Sequence, residues 1–103
     1  MQSSGQPPAL YTSVRGYTVN MEGIYNLASS GVVLSSYGLI RLIAAPANTQ
    51  PIFYGTEPGY VNDSFGVPLF PGTERIIFLS SIDKLILFGI GGTISTVYIE
   101  VYV

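Results

Sequence analysis

Glycine, proline and short polar clusters interrupt this chain every few residues, and those interruptions limit what it can build. Tyr17, Val19 and Met21 are spaced by two, and Glu22-Gly23 then breaks the pattern. Ile24 to Ala28 stops at Ser29-Ser30-Gly31, and Val32 to Leu34 stops at Ser35-Ser36-Tyr37-Gly38. Leu39 to Ala45 ends at Pro46 and the polar Asn48-Thr49-Gln50-Pro51. No window holds an i, i+3, i+4, i+7 apolar stripe long enough for a helix. β-branched and aromatic residues fill the runs, which is the pattern of short strands separated by turns. Further strands are expected over Ile52 to Tyr54, Arg75 to Leu79, Lys84 to Phe88 and Thr93 to Val103. A long loop is expected from Thr56 to Gly72.

The closing strand shows its two faces directly. Val97, Ile99, Val101 and Val103 fall on one side, and Thr96, Tyr98, Glu100 and Tyr102 on the other. That alternation belongs to a half-buried antiparallel strand. Leu85, Ile86, Leu87 and Phe88 are apolar on both sides, so their strand is central or carries an interface. About seven or eight such strands make an antiparallel β-sandwich, and a jelly-roll-like one is expected here. The 103 residues are one domain's worth. Residues 9–103 form the sandwich. Met1 to Pro8, polar and with two prolines, is expected to be a flexible N-terminal arm. That arm lacks both a basic n-region and an apolar core, so no secretory signal is expected. No apolar run approaches the ~18 residues of a membrane span.

Charge is scarce. Only 10% of residues are charged, against about 25% in an average soluble domain. Hydrophobic residues make up 48%. So few charges cover a free monomer poorly, and uncovered apolar surface marks an interface. The four cations, Arg15, Arg41, Arg75 and Lys84, are scattered, and the net charge is −2. Nucleic-acid binding needs cations gathered on one face, so it is rejected.

Catalysis finds little to work with. The chain has no His and no Cys, which removes the commonest general base, the usual zinc ligands and the Ser-His-Asp and Cys-His sets. The carboxylates Glu22, Glu57, Asp63, Glu74, Asp83 and Glu100 lie beside turns or on expected solvent faces and read as surface charges. Glu57 and Asp63 share a loop but lack the dense acidic spacing of a calcium loop. Gly89-Ile90-Gly91-Gly92 lacks the Lys-Ser/Thr of a phosphate loop and precedes a strand. Gly89, Gly91 and Gly92 are therefore assigned to a hairpin turn with positive φ. Asn62-Asp63-Ser64 fits a glycosylation acceptor pattern and is read as coincidence. No enzymatic activity, metal or cofactor is expected.

The eight tyrosines divide into core and surface. Tyr54, at the end of a short strand, is assigned to the core. Tyr98 and Tyr102, on the outer side of a strand whose inner side is aliphatic, are the first interface candidates. Tyr60, Leu10 and Tyr11 are further interface candidates. In the long loop Gly66 and Gly72 permit sharp turns, Pro68 and Pro71 stiffen the segment, and Leu69 is expected to plug the core. Gly55 and Asn62 complete this structural set.

Over its second half the chain carries Ile52-Phe53-Tyr54-Gly55-Thr56-Glu57-Pro58, Val61-Asn62 and Phe65-Gly66-Val67-Pro68-Leu69-Phe70-Pro71-Gly72. These precede the strand Arg75 to Leu79, Ile82-Asp83-Lys84-Leu85 and Gly91-Gly92 before a closing strand. This order resembles small bacteriophage virion structural proteins of the capsid-decoration, cement and head-fibre type, with Phe65 where their pattern has the Asn of an Asn-Gly pair. The resemblance implies a protein made in the bacterial host cytoplasm and bound to the outer capsid surface. There it would stabilise the shell against the major capsid protein or other virion proteins, as a dimer or trimer. It touches neither nucleic acid nor membrane on this reading. The alternative is a receptor- or glycan-binding module of a head fibre, tail fibre or adhesin, with Tyr60, Asn62 and Asp63 as its candidate contacts.

Overall fold

A computed structural model describes residues 14–27, 38–79 and 84–102 of the chain. Eight strands run through these residues, and no α-helix occurs among them: β1 (Val14–Met21), β2 (Gly23–Asn26), β3 (Gly38–Ala44), β4 (Ile52–Gly55), β5 (Val67–Leu69), β6 (Glu74–Leu79), β7 (Ile86–Gly89) and β8 (Ser95–Tyr102). They form two antiparallel sheets of four strands, ordered β1-β8-β3-β6 and β2-β7-β4-β5. The first strand pairs with the last, the second with the seventh, the third with the sixth and the fourth with the fifth. Two further ladders, β3 with β8 and β4 with β7, join these pairs into sheets.

The alternation read in β8 is present in space. Val97, Ile99 and Val101 are fully buried, and so are Ile40, Leu42 and Ala44 on the neighbouring β3. Side chains of the second sheet, among them Ile52, Tyr54, Leu69 and Leu87, belong to the same hydrophobic core. Each large aliphatic side chain removed from water contributes about 1.5–3 kcal/mol. Tyr54 is buried and Leu69 fills the core, as their positions suggested. No buried side-chain nitrogen or oxygen among the described residues lacks a hydrogen-bond partner. β7, apolar on both faces, is the central strand between β2 and β4.

Several expectations need correction. The segment from Thr56 to Gly72 is not all loop, because Val67–Leu69 is an edge strand paired with β4. Pro68 sits opposite Phe53 in that ladder, and an edge strand tolerates a residue with no N–H to donate. Gly89, Gly91 and Gly92 do not make a hairpin. β7 and β8 lie in different sheets, so the turn between them carries the chain from one sheet to the other. Gly89 is the last residue of β7, and of the three only Gly92 has positive φ, at 91°. The strand expected to run to Ala28 ends at Asn26, and β8 starts at Ser95 rather than Thr93. Met1 to Pro8, Leu10, Tyr11, Val32 to Leu34 and Val103 lie outside the described residues.

The crossings between sheets explain several residue choices. Glu22 stands between β1 and β2, and its Oε2 accepts from the Gly92 N–H at 2.6 Å. One carboxylate thereby ties the β1–β2 corner to the β7–β8 corner. A Cβ on Gly89 would lie 3.0 Å from the Met21 carbonyl oxygen and 3.3 Å from its Cγ, so a glycine there leaves room for the end of β1. Past the end of β3, the Asn48 side chain takes over strand pairing. Its Nδ2 donates to the Thr96 carbonyl and its Oδ1 accepts from the Thr96 N–H, both at 2.9 Å.

Gly55 closes β4 on the outer side of the second sheet. A Cβ there would meet Val61 Cγ2 at 2.8 Å, closer than real side chains pack. Val61 is buried, and so is Ile86, the β7 partner of Gly55, although Ile86 also faces outward. The β4–β5 connection thus folds back over this end of the sheet. Gly55→Ala should cost about 1–3 kcal/mol through overpacking. Adding Val61→Ala should recover at least about 0.5 kcal/mol of that cost beyond additivity. Denaturant melts of the four proteins in the cycle measure this, and strict additivity would show that the two residues are not in contact.

Candidate functional site

A sheet with one wet face normally turns polar residues outward. The first sheet turns large apolar residues outward beside its polar ones. Its ladders place Val14, Tyr102, Leu39 and Phe78 side by side across β1, β8, β3 and β6. The next row is Gly16, Glu100, Arg41 and Ile76, followed by Thr18, Tyr98, Ile43 and Glu74. Thus seven apolar or aromatic side chains occupy the outer side of this sheet, opposite its core-facing side. Val14, Ile76 and Phe78 are more than half exposed, and Tyr98 is 41% exposed. Leu39, Ile43 and Tyr102 are half-buried.

The charges on this face are gathered at its centre. Arg41 Nε donates to Glu74 Oε2 at 2.8 Å, Nη2 donates to the same oxygen, and Nη1 donates to Glu100 Oε1 at 3.1 Å. Tyr102 adds its hydroxyl to Glu100 Oε1 at 2.9 Å. The cluster spans β6, β3 and β8. The hydrogen bond to Glu74, then that to Glu100, raises the already high pKa of the Arg41 guanidinium, so it stays charged at every working pH. Exposed pairs of this kind add little stability. Their effect is on what the face accepts: the guanidinium is already occupied, while the two glutamates leave it one net negative charge.

A second exposed group sits on the β4–β5 connection. Tyr60 and Phe65 pack edge to face with centroids 5.7 Å apart, and they are 59% and 53% exposed. The backbone beneath them is pinned. Asn62 Oδ1 accepts from the Ser64 and Phe65 amides at 2.8 and 2.9 Å, and the Asn62 N–H donates to the Phe65 carbonyl. The Tyr60 N–H donates to the Glu57 carbonyl. Gly66 has φ of 104°, and a Cβ there would lie 3.2 Å from the Tyr54 carbonyl oxygen and 3.5 Å from Phe53 Cβ. Glycine is required at this position for both reasons.

The residues singled out in the sequence therefore separate. Tyr98 and Tyr102 lie together on the outer face of the first sheet. Tyr60 does not join them, being carried on the β4–β5 connection beside the second sheet. Asn62 and Gly66 shape that connection, Gly55 makes room for Val61, and Pro68 and Leu69 belong to β5. Pro71 is half-buried, and Gly72 has φ of 78° and donates its N–H to the Ala44 carbonyl. Among the described residues no group of three or more His, Cys, Asp or Glu is placed to hold a metal ion. No protein-family model, curated protein or solved structure matches the chain.

Sequence reasoning missed Val14, Leu39, Ile43, Ile76 and Phe78 as surface partners of the two tyrosines. One signal was present: Ile76 to Leu79 is apolar on both faces, as Leu85 to Phe88 is. The Arg41 cluster left no such trace, because its partners lie 33 and 59 residues away. Asn62→Ala should raise amide exchange at Ser64 and Phe65 and cost about 0.5–1.5 kcal/mol. Hydrogen-exchange NMR reads this, and unchanged protection at both amides would remove the assigned role of Asn62.

Proposed function

We propose that this chain is a non-enzymatic phage virion structural protein, a capsid decoration or cement protein that docks on the outside of the head. The outer face of the first sheet carries the reading. It presents seven apolar or aromatic side chains where a solvated sheet would be polar, and its charges are satisfied mostly within the face. Such a surface is suited to burial against protein. The major capsid protein is the proposed occupant. The net negative charge of the face favours a coat surface that offers a cation to the carboxylate oxygens not bound to Arg41.

The eight strands are proposed to form a jelly-roll sandwich. First-with-last pairing inward to the fourth and fifth strands is what a long double ribbon gives when it is rolled up, and the core shared by both sheets supports two packed layers. Jelly rolls recur in viral capsid and lectin domains, but a fold alone assigns no role. The virion context rests on the resemblance of the second half of the chain to phage structural proteins. Binding to assembled shell and not to free coat protein would stabilise the shell by mass action. A dimer or trimer on a lattice axis is the proposed assembly.

Mass spectrometry of purified particles should find the protein in many copies, and its absence would end this reading. Ile76→Lys combined with Tyr98→Lys should weaken binding to particles at least about tenfold, the cost of losing a central contact. Each substitution is on the surface and should change stability by no more than about 0.5 kcal/mol. Co-sedimentation with shells that lack this protein measures the first effect and thermal melting the second. Full binding by a folded double variant would exclude this face as the contact.

A further inference from the structure

We propose that the β4–β5 connection is a separate binding site for a neutral sugar ring, with Tyr60 and Phe65 as its stacking platform. The two rings are large and exposed, pack edge to face at 5.7 Å, and stand on a backbone pinned by hydrogen bonds. Val61 anchors the segment against Gly55, and Asn62 fixes the amides that follow. A preformed loop avoids most of the ordering cost of binding. An aromatic ring carries a negative face. The C–H groups on one side of a pyranose present a weakly positive surface of matching size, and the tyrosine hydroxyl supplies a polar tip.

The polar side chains on the same connection suit the same ligand. Glu57, Asp63 and Ser64 lie in this connection and are exposed. Carboxylates accept from vicinal hydroxyls, and the serine hydroxyl both donates and accepts. From residue 52 to residue 73 the chain has two acids and no Lys or Arg. An anionic sugar would meet only negative charge on this connection, which favours a neutral one. The size of the site separates a sugar from a protein partner. A stable protein interface needs about 800 Å² on each side. Two rings, two carboxylates and one hydroxyl on a single connection match one or two sugar units instead.

The test is an NMR titration of the ¹⁵N-labelled full chain with chitotetraose, maltotetraose and cellotetraose, each to about 10 mM, the range of weak single-site binding. At least one sugar should move the amides from Tyr60 to Phe65. Tyr60→Ala should weaken that binding about tenfold, and Tyr60→Phe should keep it within about threefold, since the ring and not the hydroxyl dominates. A dispersed spectrum shows that each variant is folded. If none of the sugars moves these amides, or if Tyr60→Ala leaves the shifts unchanged, the proposal is overturned. If Tyr60→Ala weakens binding to phage shells while no sugar moves the spectrum, the connection is a protein contact and the sugar site is likewise overturned. The sugar titration does not depend on whether the first sheet binds coat protein.

Discussion

Everything in this molecule depends on β8 lying between β1 and β3. The closing strand supplies Val97, Ile99 and Val101 to the core and forms ladders with strands from the beginning and the middle of the chain. Until it is in place, Val19 and Met21 have no neighbour across the sheet, and Ile40 and Leu42 have β6 on one side only. The chain must therefore close loops of many tens of residues before its best contacts form. Such non-local pairing costs loop entropy first and is repaid late, which makes folding slow and cooperative.

The corners show how so small a domain makes its turns without leaving gaps. The carboxylate of Glu22 reaches Gly92, Gly89 leaves space for Met21, and the Asn48 amide stands in for a strand residue opposite Thr96. Each device either meets a backbone group that the end of a strand would leave unpaired or allows two segments to come close. Leaving a buried backbone group unpaired costs as much as a lost hydrogen bond. The glycines are conformationally needed where φ is positive, as at Gly66, and sterically needed where a neighbour fills the space of a Cβ, as at Gly55.

With the inner faces packed, the two unusual surfaces differ in kind. The outer side of the first sheet is broad and largely apolar, with a hydrogen-bonded charge cluster of one arginine and two glutamates, and it suits an extended protein contact. The β4–β5 connection is narrow, aromatic and acidic, and it suits a small polar ligand.

Much of the architecture is legible in the residues themselves. Period-two alternation, closely spaced glycines and prolines, and the lack of a helical stripe determine an all-β chain with β8 half-buried, because a strand's side chains alternate whatever it pairs with. The lack of His and Cys likewise limits the chemistry without any geometry. The exposed rows of the first sheet were only half legible. Tyr98 and Tyr102 stood out, but Ile76 and Val14 joined them only when the ladders set β6 and β1 alongside. The turn at Gly89 to Gly92 was misread as a hairpin because a turn's composition does not say which sheet the next strand enters. Arg41, a lone charge in an apolar run, gained its meaning from Glu74 and Glu100, which only strand order brings near. The residues alone assign the inward side of a strand that alternates as β8 does, since that follows from local period. Tertiary structure alone decided which outward residues share a face, since that depends on pairing between strands far apart in the chain.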